Sequence, residues 1–115
     1  MTEPKALKRL KRKLTVENLW LYVINSILRR GQPVRAYTVR KMIREYHGLN
    51  VQTITVYMVV YRLAAEGLLE KITRDGETLY YVSEKGKNAY MAALDFIRET
   101  LEKLQLPPDT RRAPA

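Results

Sequence analysis

From Leu19 to Leu28 the chain is apolar at nearly every position, with Leu19, Trp20, Leu21, Tyr22, Val23, Ile24, Ile27 and Leu28. A helix apolar almost all round must be covered on several sides. The pattern predicts a first helix from about Thr15 to Arg30, ended by Gly31-Gln32-Pro33. Val34 to Tyr37 reads as a short extended link. Val39, Met42, Ile43 and Tyr46 then recur at helical spacing and predict a second helix, with Thr38 as N-cap and Gly48 as stop. Val56, Val60 and Leu63, with Val59 beside them, mark the inward stripe of a third helix over about 51–66, with Asn50 as N-cap and Gly67 as close. Leu68 to Arg74 and Thr78 to Val82 are rich in β-branched, aromatic and apolar residues around Asp75-Gly76, which predicts a hairpin. Ser83 caps a fourth helix from Glu84 to Leu104. At ~1.5 Å per residue it is roughly 30 Å long. Tyr90, Leu94, Ile97, Leu101 and Leu104 alternate spacings of four and three along it, the seam of a coiled coil.

Three helices followed by a hairpin follow the winged-helix plan, and the second and third helices form a helix-turn-helix. The fold class expected is mainly α with a small β-hairpin, α+β overall: a winged helix-turn-helix with a long C-terminal dimerisation helix. The segments divide as a basic flexible arm over 1–13, a DNA-binding domain over 14–83, the dimerisation helix over 84–106 and a disordered tail over 107–115. Leu7, Leu10 and Leu14 are spaced so that the arm can turn helical on a surface.

Charge changes the picture from fold to partner. The formal net charge is +9 over 115 residues. That excess favours an acidic polymer, nucleic acid before an anionic membrane surface. The arm carries Lys5, Lys8, Arg9, Lys11, Arg12 and Lys13 against Glu3 alone, and the stretch from Arg29 to Arg44 carries six cations and no acid. The balance turns acidic from Asp75 onward. There is no cysteine, which excludes disulfides, thiol catalysis and cysteine-held zinc. One histidine, His47, stands at the end of the second helix beside Gly48, where it can meet exposed carbonyls rather than a metal. No nucleophile–base set and no glycine-rich phosphate loop is visible, so an enzyme is not expected, nor a cofactor. No apolar run reaches membrane-spanning length, a membrane is not an expected partner, and a cytoplasmic, nucleoid-associated protein is the expected setting.

The stretch from Pro33 to Gly86 resembles the PadR-like winged-helix transcriptional regulators. Tyr37 stands where those proteins carry the tyrosine of a Gly-Tyr pair, with Ala36 in place of the glycine. Tyr57, Val60, Leu63, Gly67 and Leu68 match a Tyr-x-x-Leu-x-x-Leu-x-x-x-Gly-Leu motif, with valine for the first leucine. Tyr80-Tyr81-Val82-Ser83-Glu84-Lys85-Gly86 matches an aromatic strand followed by Thr-x-x-Gly, with serine for threonine. The resemblance implies dimerisation through the last helix, in agreement with the seam. Some members bind small apolar effectors near the dimer interface; such an effector is a weaker expectation here, because these motifs do not carry that property over.

The third helix is the expected reader of the major groove. Ile54, Thr55, Tyr57, Met58, Tyr61 and Arg62 point outward from its stripe, and Gln52 and Thr53 lie at its N-terminal tip. Gln52 is suited to adenine and Thr55 to a thymine methyl. This face is poor in cations, so phosphate contacts are expected from Arg35, Arg40, Lys41, Lys71 and Arg74, with Tyr37 beside them. Lys8, Arg9, Lys11, Arg12 and Lys13 are expected to add non-specific affinity for double-stranded DNA. Trp20, Tyr90, Leu94, Ile97, Leu101 and Leu104 are the expected contacts of a homodimer, with core packing the alternative role for Trp20. The expected function is a homodimeric, sequence-specific transcriptional regulator that represses by occupancy. The alternatives are a winged-helix module for protein partners, which an apolar third helix also suits, and an architectural DNA binder with little sequence preference.

Overall fold

The computed structural model describes residues 2–111. Its helices are α1 (Lys5–Lys13), α2 (Leu19–Arg30), α3 (Ala36–His47), α4 (Thr53–Ala65), α5 (Glu84–Leu104) and the single turn α6 (Pro108–Arg111); strands β1 (Leu69–Arg74) and β2 (Glu77–Val82) form the hairpin. The first to fourth helices expected from the sequence are therefore α2, α3, α4 and α5. This is a winged helix, α+β, with a long helix after the wing.

The core lies where α2, α3, α4 and the hairpin meet. Val23, Ile24, Val39, Met42, Ile43, Val56 and Val60 have no exposed surface, and Leu19, Ile27, Leu63, Leu69, Tyr80 and Val82 close around them. Both inward stripes read from the sequence are in this core, Val39-Met42-Ile43 and Val56-Val60-Leu63, with Tyr46 and Val59 partly buried against it. Trp20, Leu21 and Tyr22 on the remaining faces of α2 are only partly covered.

The hairpin pairs Leu69 with Val82 through to Arg74 with Glu77. Asp75 and Gly76 both have positive φ, 53° and 77°, the conformation that a two-residue primed turn requires. Val34 exchanges both backbone hydrogen bonds with Tyr80, at 2.9 and 2.7 Å, and so lays the link after α2 along the wing. Gly67 ends α4 with φ 80°. Leu68 N–H donates to the Leu63 carbonyl and Gly67 N–H to that of Ala64, which satisfies two of the last carbonyls of the helix. Ser83 is a true N-cap: its Oγ accepts from Gly86 N–H at 3.0 Å and its hydroxyl donates to the Gly67 carbonyl at 2.6 Å.

Four expectations about boundaries are corrected. The α2 helix starts at Leu19, after a 3-10 turn over Val16–Asn18, rather than near Thr15. The α3 helix starts at Ala36 with Arg35 as N-cap, so Thr38 lies inside the first turn and caps nothing. The α4 helix starts at Thr53 with Gln52 as N-cap, and Asn50 stays in the linker. The segment expected as a flexible arm is helical over Lys5–Lys13. Its last carbonyls are taken by side chains: Thr15 Oγ1 donates to Lys11 O, Asn18 Nδ2 to Lys13 O and Tyr22 OH to Leu14 O. Three cations in its last turn also oppose the negative end of the helix dipole. Of the expected tail, α6 is one helical turn, and positions 112–115 lie outside the described residues.

Candidate nucleic-acid interface

The buried stripe of α4 leaves the opposite side of the helix to solvent. Ile54, Met58 and Tyr61 form an exposed ridge, 66, 56 and 54% accessible, with Gln52 and Thr53 exposed at its N-terminal end. Ile54 and Tyr61 thus carry more of this surface than Thr55 and Tyr57, which sit half-buried on the flanks. The Tyr57 and Tyr61 rings lie 6.0 Å apart, and Tyr61 lies 6.4 Å from Tyr80, so an aromatic row connects the ridge to the wing. Arg62 is exposed and lines a notch with Trp20, Val59 and Glu66. In that notch Trp20 packs against its own domain.

The expected phosphate contacts divide by geometry. Arg40 Nε donates to the Val51 carbonyl at 2.6 Å, so this side chain ties α3 to the turn before α4. Arg35 pairs with Glu77 across 3.2 Å and links the start of α3 to the wing. Lys41 faces Glu45 at 4.0 Å, one turn along α3. Tyr37 is 71% exposed. Lys71 and Arg74 are both exposed on β1, but the register puts them on opposite faces of the hairpin. Lys71 pairs with Tyr80 on the core side, and Arg74 with Glu77 on the other.

Between α2, α3 and the start of α4 lies an open cleft of about 420 Å³. Arg30, Arg40, Lys41 and Arg44 line it, together with the first turn of α3 and Thr53 of α4. Arg30 and Arg44 were not among the expected contacts. The signal that could have found them was present, since the acid-free stretch ends at Arg44 and Arg40, Lys41 and Arg44 share one side of a helix. Arg30 comes from another helix and joins them only in the fold.

The helix α1 has two faces. Leu7, Leu10 and Leu14, 40, 52 and 43% exposed, lie on one. Lys11 pairs with Glu3 and Lys13 with Glu17, which leaves Lys5, Lys8, Arg9 and Arg12 outside the ion pairs among the described residues. Of the expected dimer contacts, Tyr90 OH accepts from Asn25 Nδ2 at 2.8 Å within the same chain. Leu94 is half-buried, and Ile97, Leu101 and Leu104 are 37, 57 and 73% exposed as α5 leaves the domain.

His47 sits at the foot of α2 with Tyr22 and Tyr46 edge-on to its ring at 5.1 and 6.4 Å. Its Nε2 is buried and has no hydrogen-bond partner among the described residues. Burial holds its pKa below the usual histidine range, and Arg29 acts in the same direction. It lines an apolar cleft of about 250 Å³ with Leu14, Tyr22, Tyr90, Leu94 and Ile97. Among the described residues no cluster of histidine and carboxylate side chains is placed to hold a metal, and no helix is long and apolar enough to cross a membrane.

No protein-family profile and no curated protein sequence matches the chain. Solved structures do. A PadR family transcriptional regulator from Eggerthella lenta superposes with a TM-score of 0.66 at 20% identity, over 86% of this chain and 91% of the other. F93 from STIV, described as a winged-helix DNA-binding protein, gives 0.63 at 13% identity, over 73 and 90%. A PadR family transcription regulator from Clostridium difficile gives 0.57 at 15% identity, over 73 and 94%. The chain has the winged-helix fold of these regulators, as its motifs led one to expect.

Proposed function

We propose that the protein is a sequence-specific DNA-binding transcriptional regulator that works as a homodimer, with α4 in the major groove of each half-site. The observation that carries this reading is the exposed side of α4, with Gln52, Thr53, Ile54 and Met58 toward its N-terminal half, flanked by the basic cleft. Uncharged groups then face base edges while cations on neighbouring elements face phosphate, the division that specific recognition needs. Gln52 and Thr55 read bases, with Thr53, Tyr57 and Met58 beside them. Tyr37, Lys41, Arg62, Lys71 and Arg74 contact the backbone. Arg35 and Arg40 mainly hold the frame, because each is engaged within the chain. The polar face of α1, with Lys8, Arg9 and Arg12, adds non-specific affinity.

The tip of α5 supports the dimer. Leu101 and Leu104 extend from the partly covered Ile97 as a stripe that their own domain leaves exposed, and a second copy of α5 would cover it. The base of the seam is occupied at home, since Tyr90 bonds Asn25 and Leu94 lines the cleft beside α2. A regulator of this kind acts on the nucleoid and represses by occupying its operator.

One observation favours a second reading. The ridge of Ile54, Met58 and Tyr61 is apolar enough to serve a protein partner. Selection of bound duplexes from a random pool separates the two. Enrichment of a pseudo-palindrome with half-sites about 34 Å apart, or a multiple of that, supports the DNA reader. Recovery of an unenriched pool removes sequence-specific reading and moves the protein-partner reading ahead.

A further inference from the structure

The helix α1 is held at one end and bare along its length. Thr15, Asn18 and Tyr22 tie its last carbonyls, yet none of its residues is buried. Nine residues are too few for a stable helix in water without packing. Its apolar stripe, Leu7, Leu10 and Leu14, is exposed and repeats the spacing of three and four found in the α5 seam.

The helix α5 carries a second uncovered apolar group. Phe96 is 68% exposed. It precedes Ile97 and so lies about 100° around the helix from the seam, where pairing with another α5 does not cover it. Ala93, Ala92 and Ala89 stand on the same side, three, four and seven residues before it, and leave room for another helix to lie close.

Three observations say what covers these two faces. Leu14 lines the same cleft as Leu94 and Ile97, so the stripe of α1 and the seam of α5 open from one place. A second subunit that covers the seam is thereby brought against α1. The seam alone is small: the exposed parts of Ile97, Leu101 and Leu104 fall well short of the roughly 800 Å² per partner that a stable interface buries. Charge then decides which element of the second subunit lies on α1. The helix α1 carries six cations and no acid, so two copies of it repel. The helix α5 carries four acids and four bases. Glu99, three residues after Phe96 on the same side, enters none of the ion pairs among the described residues and offers a partner to a cation of α1.

We propose that α1 is a clasp between subunits, its leucine stripe packed on the Phe96 side of α5 in a second copy of the chain. The proposal rests on the homodimer reading and adds to it an element outside the α5 seam. In a two-fold dimer the clasp occurs twice, and the polar face of α1, with Lys8, Arg9 and Arg12, stays turned outward.

The chain has no cysteine, so introduced thiols report alone. Two differently tagged chains are co-expressed and oxidised, one with Phe96→Cys and the other with Leu7→Cys, Leu10→Cys or Leu14→Cys. A disulfide needs Cα atoms within about 7 Å. One is expected between unlike chains for at least one stripe position, and none for Arg9→Cys on the polar face. No disulfide from the stripe, or an equal yield from Arg9→Cys, overturns the clasp. Leu7→Ser with Leu10→Ser should stay folded by circular dichroism, because α1 adds nothing to the buried core. Sedimentation should show its dimer dissociation constant raised about tenfold or more. An unchanged constant, with wild type a dimer, overturns the clasp and leaves the α5 seam in place. A wild type that sediments as a monomer throughout sinks the homodimer reading and the clasp with it. Pelleting of wild type with phosphatidylglycerol vesicles, lost in the serine variant while the dimer is unchanged, assigns the stripe to a lipid surface and overturns the clasp.

Discussion

Gly86→Ala gives a change of sign that helix propensity alone would not anticipate. Gly86 is buried in the first turn of α5, where a Cβ would come within 2.1 Å of the Leu68 carbonyl oxygen and 2.9 Å of Val82 Cγ1. Its φ is not in the left-handed region, so no backbone strain argues for glycine there. Replacing glycine by alanine inside a helix normally stabilises by about 1 kcal/mol. Overpacking a tight core costs about 1–3 kcal/mol, and the top of that range applies because the obstacle is backbone rather than a flexible side chain. The obstructing carbonyl also accepts Ser83 N–H at 3.2 Å, so moving it disturbs the cap of α5. The net expectation is a loss of about 2 kcal/mol, from the larger clash term less the propensity gain. That corresponds to a fall in melting temperature of roughly 10 °C for a domain of this size. Urea denaturation of wild type and variant at one protein concentration measures it. A variant as stable as wild type, or more stable, would refute the close packing of α5 against the wing.

Three further outcomes follow from the same geometry. Because burial lowers the pKa of His47, the unfolded chain binds its proton first, so stability should decline as pH falls below the ordinary histidine value of about 6.5 and level off below the folded pKa; His47→Phe, measured by thermal melts from neutral pH to pH 5, should flatten that decline, and an unchanged profile would clear His47 of it. Leu94→Glu with Leu101→Glu should convert a micromolar dimer to monomer or unfold the chain, and should abolish tight duplex binding; sedimentation showing the wild-type dimer would remove α5 from the interface. Deleting residues 1–13 should weaken binding to all duplexes alike and flatten the salt dependence, whereas an unchanged slope would take α1 off the DNA.

The core and wing were legible because each rests on a strong, local signal. The stripes Val39-Met42-Ile43 and Val56-Val60-Leu63 have one helical period each, and Asp75-Gly76 allows little but a tight turn. Ser83 could be read as a cap because its partner, Gly86 N–H, lies three residues on. Thr38 and Asn50 misled for a physical reason. A cap is worth about 1 kcal/mol, and tertiary contacts outweighed it at both sites. Val34 is held to Tyr80, so the chain turns into α3 directly after Arg35. Leu49 and Val51 pack on the core and Val51 O is held by Arg40, so the linker stays non-helical up to Gln52. The helical state of α1 depends on Thr15, Asn18 and Tyr22 reaching back to its carbonyls, contacts that no periodicity announces. The cleft was half legible: the cation run was plain, but the arrival of Arg30 from α2 needed the fold.

Reading of sequence by α4 is tested most directly by Gln52→Ala with Thr55→Ala. Neither residue belongs to the buried stripe, so the melting temperature should stay close to that of wild type. Affinity is measured by fluorescence anisotropy on the duplex enriched from a random pool and on a scrambled duplex, at one salt concentration. The variant should lose roughly 1–3 kcal/mol for each good base contact on the enriched duplex, and much less on the scrambled one, because phosphate contacts elsewhere remain. The loss should appear in both half-sites. A folded variant that keeps the full wild-type preference for the enriched duplex would contradict the assignment of α4 as the reader.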